Sequence, residues 1–137
     1  MAETMQFDLV SPERMLASVA ASEVQIPGAE GDFTAMPGHA GFLSTLRPGL
    51  VRAKTEQGEM AYLVTGGFAE VTAEGVSVLA ERGIPREELT QEAFDALLAD
   101  MRRALDAAEG TAADEAGRMV AEIVTLGREL GLNASAA

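Results

Sequence analysis

Between Glu30 and Leu50 three turn signals stand close together: Gly31-Asp32, Pro37-Gly38 and Pro48-Gly49. Proline presets φ at the first corner of a turn and glycine accepts φ > 0 at the second, so a Pro-Gly pair reverses the chain. The apolar runs between them, Phe33 to Met36 and Phe42 to Leu46, are long enough for one short strand each. A segment that doubles back this often suits a compact β-domain and not a helix bundle. His39, the only histidine of the chain, sits in the middle corner.

The segments on either side carry the same texture. From Thr4 to Val10 the residues Met5, Phe7 and Leu9 alternate with Thr4, Gln6 and Asp8, the period-two mark of a half-buried strand. Ser11-Pro12-Glu13 turns the chain, Met15 to Ala21 and Ser22 to Ile26 read as strand, and Pro27-Gly28 closes them. Leu50 to Lys54 and Met60 to Val64 flank a hairpin tip at Glu56-Gln57-Gly58-Glu59. Phe68 to Val71 and Val76 to Ala80 flank another at Thr72-Ala73-Glu74-Gly75. Many short strands with no helix between them predict an antiparallel β-sandwich or flattened barrel.

At Glu81-Arg82-Gly83-Ile84-Pro85 the alternation stops, and alanine becomes dense beyond it. Thr90 is placed to cap a helix whose apolar stripe is Phe94, Leu97, Leu98, Met101 and Leu105, with Gly110 as its stop. Thr111-Ala112-Ala113-Asp114 has the form of a capping box with Asp in place of the usual Glu or Gln. The second helix carries Ala116, Met119, Val120, Ile123, Leu126 and Leu130 on one side, and Gly131 ends it. Gly117 and Gly127 inside it each cost about 1 kcal/mol relative to alanine, which makes it the weakest element expected. The predicted class is therefore α+β: an N-terminal antiparallel β-sandwich over 1–85, then a C-terminal two-helix antiparallel hairpin over 86–137 with a frayed end at 133–137.

Chemistry is scarce. One histidine and no cysteine exclude most nucleophile–base arrangements, the usual zinc sites and disulfides. Glu30 and Asp32 are close enough to act as an acid–base pair, but two carboxylates in a turn are ordinarily solvated. Gly66-Gly67 lacks the Lys-Ser/Thr ending and the following helix of a phosphate loop. No catalytic residue, metal site or cofactor is predicted. A net charge of −12 opposes nucleic acid and anionic lipid as partners, and suits a basic protein or a merely solvated surface. No apolar run approaches the ~18 residues of a membrane span, and no signal peptide opens the chain, so direct membrane insertion is not expected and the chain reads as cytosolic.

Two phrases in order and at matching spacing go further. Glu30-Gly31, Pro37-Gly38-His39-Ala40 and Pro48-Gly49 form the first; Gly66-Gly67-Phe68-Ala69-Glu70-Val71 followed by Val76-Ser77-Val78-Leu79-Ala80 forms the second. Over residues 4–85, and loosely to the end, the chain resembles the epsilon subunit of bacterial F-type ATP synthases, called delta in mitochondria. The resemblance implies a two-sheet β-sandwich and a non-catalytic rotor subunit that links gamma to the c-ring and couples proton flow to ATP synthesis. It implies a peripheral position on the cytoplasmic side of the inner membrane.

By position, Glu30, Gly31 and Asp32 fall where the family touches the c-ring loops. His39, Ala40, Phe42 and Leu43 fall on the gamma-facing side. Gly41 stands where many relatives carry proline. Asp114, Arg118 and Arg128 occupy the helix that in regulatory relatives reaches the catalytic alpha and beta subunits. The Asp-x-x-Arg-Ala phrase of ATP-sensing relatives is not reproduced here, because Asp114 and Arg118 are four apart and Met119 follows. The expected regulation is at most a weak, nucleotide-insensitive brake. The rival readings are a small β-sandwich enzyme or ligand-binding protein with a helical lid, and an acidic scaffold.

Overall fold

The alternation at the start of the chain produces β1 (Met5–Val10), with Met5, Phe7 and Leu9 buried. Nine more strands follow: β2 (Met15–Ala21), β3 (Glu23–Gly28), β4 (Gly31–Ala35), β5 (Phe42–Leu46), β6 (Gly49–Thr55), β7 (Gly58–Val64), β8 (Gly67–Val71), β9 (Gly75–Ala80) and β10 (Gly83–Pro85). The computed structural model describes residues 3–38 and 41–134, and they divide into two compact units, Met1–Arg86 and Glu87–Ala137.

In the first unit the strands pair in the order β10-β7-β6-β3-β5-β8-β9-β1-β2, with β4 added on β3. The sheet folds over itself into a β-sandwich, close to a closed barrel, as the turn spacing predicts. Among the described pairs β1 and β9 alone run parallel, with Phe7 opposite Val76 and Leu9 opposite Val78. A parallel pair needs a long crossover; here strands β2 to β8 are that crossover, so no local pattern announces it. The core gathers the inward residues of both layers. Phe7, Leu9, Val24, Ile26, Val51, Val64, Val71, Val76 and Val78 are fully buried, and the rings of Phe7 and Tyr62 meet tilted at a centroid distance of 6.4 Å.

Two local features differ from the sequence reading. Pro27-Gly28 does not follow the strand but forms the last two residues of β3, opposite Asp32 and Gly31 of β4. β3 pairs with β6 at Glu23, Val24 and Gln25 and with β5 at Gly28. Proline therefore sits where the strand changes partner and an N–H is dispensable. The reversal comes two residues later, at Ala29-Glu30. The second difference is β10, whose three residues pair with Val64, Leu63 and Tyr62 of β7 where the sequence shows only a boundary. Three residues including a glycine and a proline carry no alternation to read; the partner strand makes the element.

A short 3-10 turn, Arg86–Glu88, precedes helices α1 (Gln91–Ala107) and α2 (Thr111–Glu129) of the second unit. Thr90 caps α1 as expected, its Oγ1 accepting from the Ala93 N–H at 3.1 Å. The capping box at Thr111 does not form: Thr111 is already helical, and Gly110, at φ 63° and ψ −137°, is the N-cap with no side-chain hydrogen bond. The corner turns through a backbone conformation open to glycine, and that displaces the cap by one residue.

Gly131, at φ 81°, ends α2 as predicted. The Leu132 N–H donates to the Gly127 carbonyl at 2.8 Å and the Gly131 N–H to that of Arg128 at 3.1 Å, the paired bonds of a Schellman motif. Of the two predicted stripes, Phe94, Leu97, Leu98 and Ile123 are fully buried, while Met101, Leu105, Met119 and Val120 are half-buried. Asn133, where fraying was expected to begin, has both backbone polar groups bonded to Gln91. Residues 135–137 of that end lie outside the described residues.

Candidate interaction surface

In a two-layer β-domain the outward residues are usually polar, because every second side chain meets water. In β8 Ala69 and Val71 point inward, so Phe68 and Glu70 face out; in β9 Val76, Val78 and Ala80 point inward, so Ser77 and Leu79 face out. Phe68 is 51% exposed and Leu79 57%.

The register lines these residues up. Thr45 is opposite Phe68, Phe68 opposite Leu79, Leu79 opposite Val10, and Val10 opposite Met15, itself 60% exposed. Four apolar side chains on four neighbouring strands thus form one row across the outside of the sheet. Beside it lies a shallow depression of about 380 Å³, lined by Val10, Pro12, Gly67, Phe68 and Leu79 among others. Gly67 keeps this part of the sheet tight. It has φ 128°, and a Cβ there would run into the Leu79 carbonyl.

The next row along the same strands is different. It begins with Leu43, 67% exposed, opposite Glu70, and continues through Ser77, Asp8 and Ser18. There the Ser18 hydroxyl donates to Asp8 at 2.8 Å and the Gln6 amide donates to Asp8 at 2.9 Å and to Ser18 at 3.0 Å. The outer face is therefore divided into one wettable band and one apolar band. Contiguous exposed apolar surface of this kind marks a place where another molecule sits. No group of acidic or histidine side chains suited to a metal ion occurs among the described residues.

Residues 4–86 match the family described as the ATP synthase delta/epsilon chain, beta-sandwich domain. The chain belongs to that family. It is 55% identical to the ATP synthase epsilon chain of Rhodobacter capsulatus, over 96% of this chain and 100% of that one. It is 53% identical to the epsilon chain of Ruegeria sp., again over 96% and 100%. Among solved structures, a chain of the Euglena gracilis mitochondrial ATP synthase superposes with a TM-score of 0.69 at 20% identity, covering 93% of this chain and 81% of that one. A chain of the Tetrahymena thermophila central stalk and c-ring gives 0.63 at 15% identity, covering 94% and 97%. These two establish likeness of fold.

The residues that the epsilon resemblance singles out fall in separate places. Glu30 and Gly31 lie at the tip of the β3–β4 hairpin, both exposed. The Asp32 carboxylate is ion-paired with Arg47, which follows β5. The acidic tip is thus partly neutralised by the chain's own arginine, a pairing invisible to sequence because it joins two different turns. Phe42 packs edge-on against Phe33 of β4, centroids 4.8 Å apart. That contact ties the start of β5 to the strand that carries Asp32. His39 and Ala40 lie outside the described residues.

In the second helix, α2, Asp114 stands in the first turn. Arg118 pairs with Glu115 at 3.8 Å, both 67% exposed, and Arg128 donates to the Ala134 carbonyl at 3.5 Å. Sequence reasoning missed the row of Val10, Met15, Phe68 and Leu79. The available signal was parity: Phe68 shares a face with Glu70, and Leu79 with Ser77.

Proposed function

We propose that this chain is a non-catalytic rotor subunit of an F-type ATP synthase, one that links gamma to the c-ring and so couples proton flow to ATP synthesis. The observation that carries the reading is the apolar row of Val10, Met15, Phe68 and Leu79, which water alone would not favour on an outer sheet face. Gamma is the partner assigned to this row, to Phe42 and Leu43 of β5, and to His39 and Ala40. The hairpin tip at Glu30, Gly31 and Asp32 is assigned to the polar loops of the c-ring. In support, the two structural neighbours come from assemblies described as containing a c-ring, one of them a central stalk. No described helix is long and apolar enough to cross a membrane, which suits a peripheral subunit, here assigned to the cytoplasmic side of the inner membrane.

Binding to purified gamma tests this directly. Phe68→Asp and Leu79→Asp should each weaken binding by about 2 kcal/mol or more, the scale of a buried apolar anchor, with the unfolding midpoint changed little because both side chains are exposed. Full gamma binding by both variants would remove the row from the interface.

The helical unit is assigned a minor role, at most a weak and nucleotide-insensitive brake on hydrolysis. From Thr111 onward the two arginines, Arg118 and Arg128, are outnumbered by Asp114, Glu115, Glu122 and Glu129, so the helix would bring like charge to an acidic segment of the catalytic subunits. Hydrolysis by the assembled enzyme, with the full chain and with one ending at Pro85, should differ little at any ATP concentration. Strong activation by the shortening, fading as ATP rises, would overturn the assignment.

A further inference from the structure

Gly127 is a helix-interior glycine with a neighbour that explains it. It is buried, and the Phe94 ring of α1 lies so close that an added Cβ would come within 2.7 Å of Cε1 and nearer still to Cζ. Gly117, ten residues earlier on the same helix, is not used this way: its Cβ would meet Leu105 at an ordinary 3.8 Å. The same Gly127 supplies the carbonyl that accepts the Leu132 N–H in the Schellman motif. That motif turns the chain back toward the start of α1. There Gln91 donates through Nε2 to the Asn133 carbonyl at 2.7 Å, and its Oε1 accepts the Asn133 N–H at 2.8 Å. At the other end the corner glycine leaves α2 without a side-chain cap, and Met101, Leu105, Met119 and Val120 are half-buried.

We propose that the open end of the helical pair is a latch: separation of α1 from α2 is controlled by the Phe94 ring seated on Gly127 and by the Gln91 amide clasping Asn133, not by the corner at Ala108–Gly110. The helix half near the corner loosens first, and the unit parts only when the latch lets go. The proposal concerns the helical unit alone and stands whether or not that unit brakes hydrolysis.

Amide hydrogen exchange of the full-length chain tests it, read at Ile123–Glu129, with amides of β1 and β9 as the control that the first unit stays folded. Gly117→Ala should slow exchange about five-fold, the gain expected from replacing a helix-interior glycine. Gly127→Ala should do the reverse and speed exchange, because the methyl displaces the Phe94 ring. In a Phe94→Ala background the sign should flip, and Gly127→Ala should then slow exchange. Gln91→Ala should speed it roughly two- to five-fold through three lost hydrogen bonds, two to Asn133 and one to the exposed Asp95 carboxylate, although alanine is the better helix former. Slowing by Gly127→Ala in the parent chain, to the extent seen for Gly117→Ala, would overturn the seat. Unchanged exchange in Gln91→Ala would overturn the clasp, even if Phe94→Ala melts the helices outright.

Discussion

The two units bury their apolar side chains in different ways. In Met1–Arg86 the core is continuous: residues from both layers of the sandwich, from Met5 in β1 to Ala80 in β9, form one cluster. In Glu87–Ala137 the fully buried side chains of the helices are Phe94, Leu97, Leu98 and Ile123, and the half near the corner is only partly covered. A continuous core distributes stability over many contacts, whereas a polarised one concentrates it in a few. The first kind of unit loses cooperativity only when many contacts fail. The second opens from its weak end at low cost, as segments with few buried contacts do.

Truncating the largest fully buried side chain of the β-unit should break this contrast most sharply. Phe7→Ala should cost about 3–5 kcal/mol, measured by urea unfolding of a chain ending at Pro85, which should itself unfold in one cooperative transition. A shortened chain without a cooperative transition would show that the β-unit depends on the helices and would end the comparison.

The helix caps give a finer test. Thr90→Ala should destabilise the helical unit by ~1 kcal/mol, because it removes a formed cap bond. Thr111→Ala should cost nothing measurable, since Thr111 is the first helical residue of α2, after a glycine N-cap, and alanine is the better helix former. Thermal unfolding followed at 222 nm reads both, and equal losses would restore the capping box at Thr111.

The smallest effect belongs to the β3–β4 tip. Asp32→Lys removes an exposed ion pair with Arg47, so the stability change should stay below ~1 kcal/mol. Seating on the c-ring should weaken while gamma binding is kept. Equal loss of both interactions would mean that the tip had been deformed and would sink the separate assignment to the ring.

These tests also separate what could be read from the chain and what could not. Turn chemistry and the two periods, two and 3.6, act within a few residues, so nearly every strand, both helices, the Thr90 cap and the stop at Gly131 were legible. Phe68 and Leu79 were visible in type but their meeting was not. It takes the register of β8 against β9, and of β9 against β1, to bring them into one row with Val10 and Met15. Residues so distant in the chain carry no joint signal.

The amino-acid sequence by itself determined the elements, their class and the family, because each of those follows from local backbone preference or from short phrases in order. Tertiary structure decided three things: which strands run parallel, which carboxylate Arg47 neutralises, and what Gly127 is for. Read along the helix, that glycine costs conformational entropy and marks a weak point. Read across to α1, it is the one residue small enough to take the Phe94 ring. The sign of its contribution is set by a neighbour more than thirty positions away, and no count of helix formers along α2 contains it.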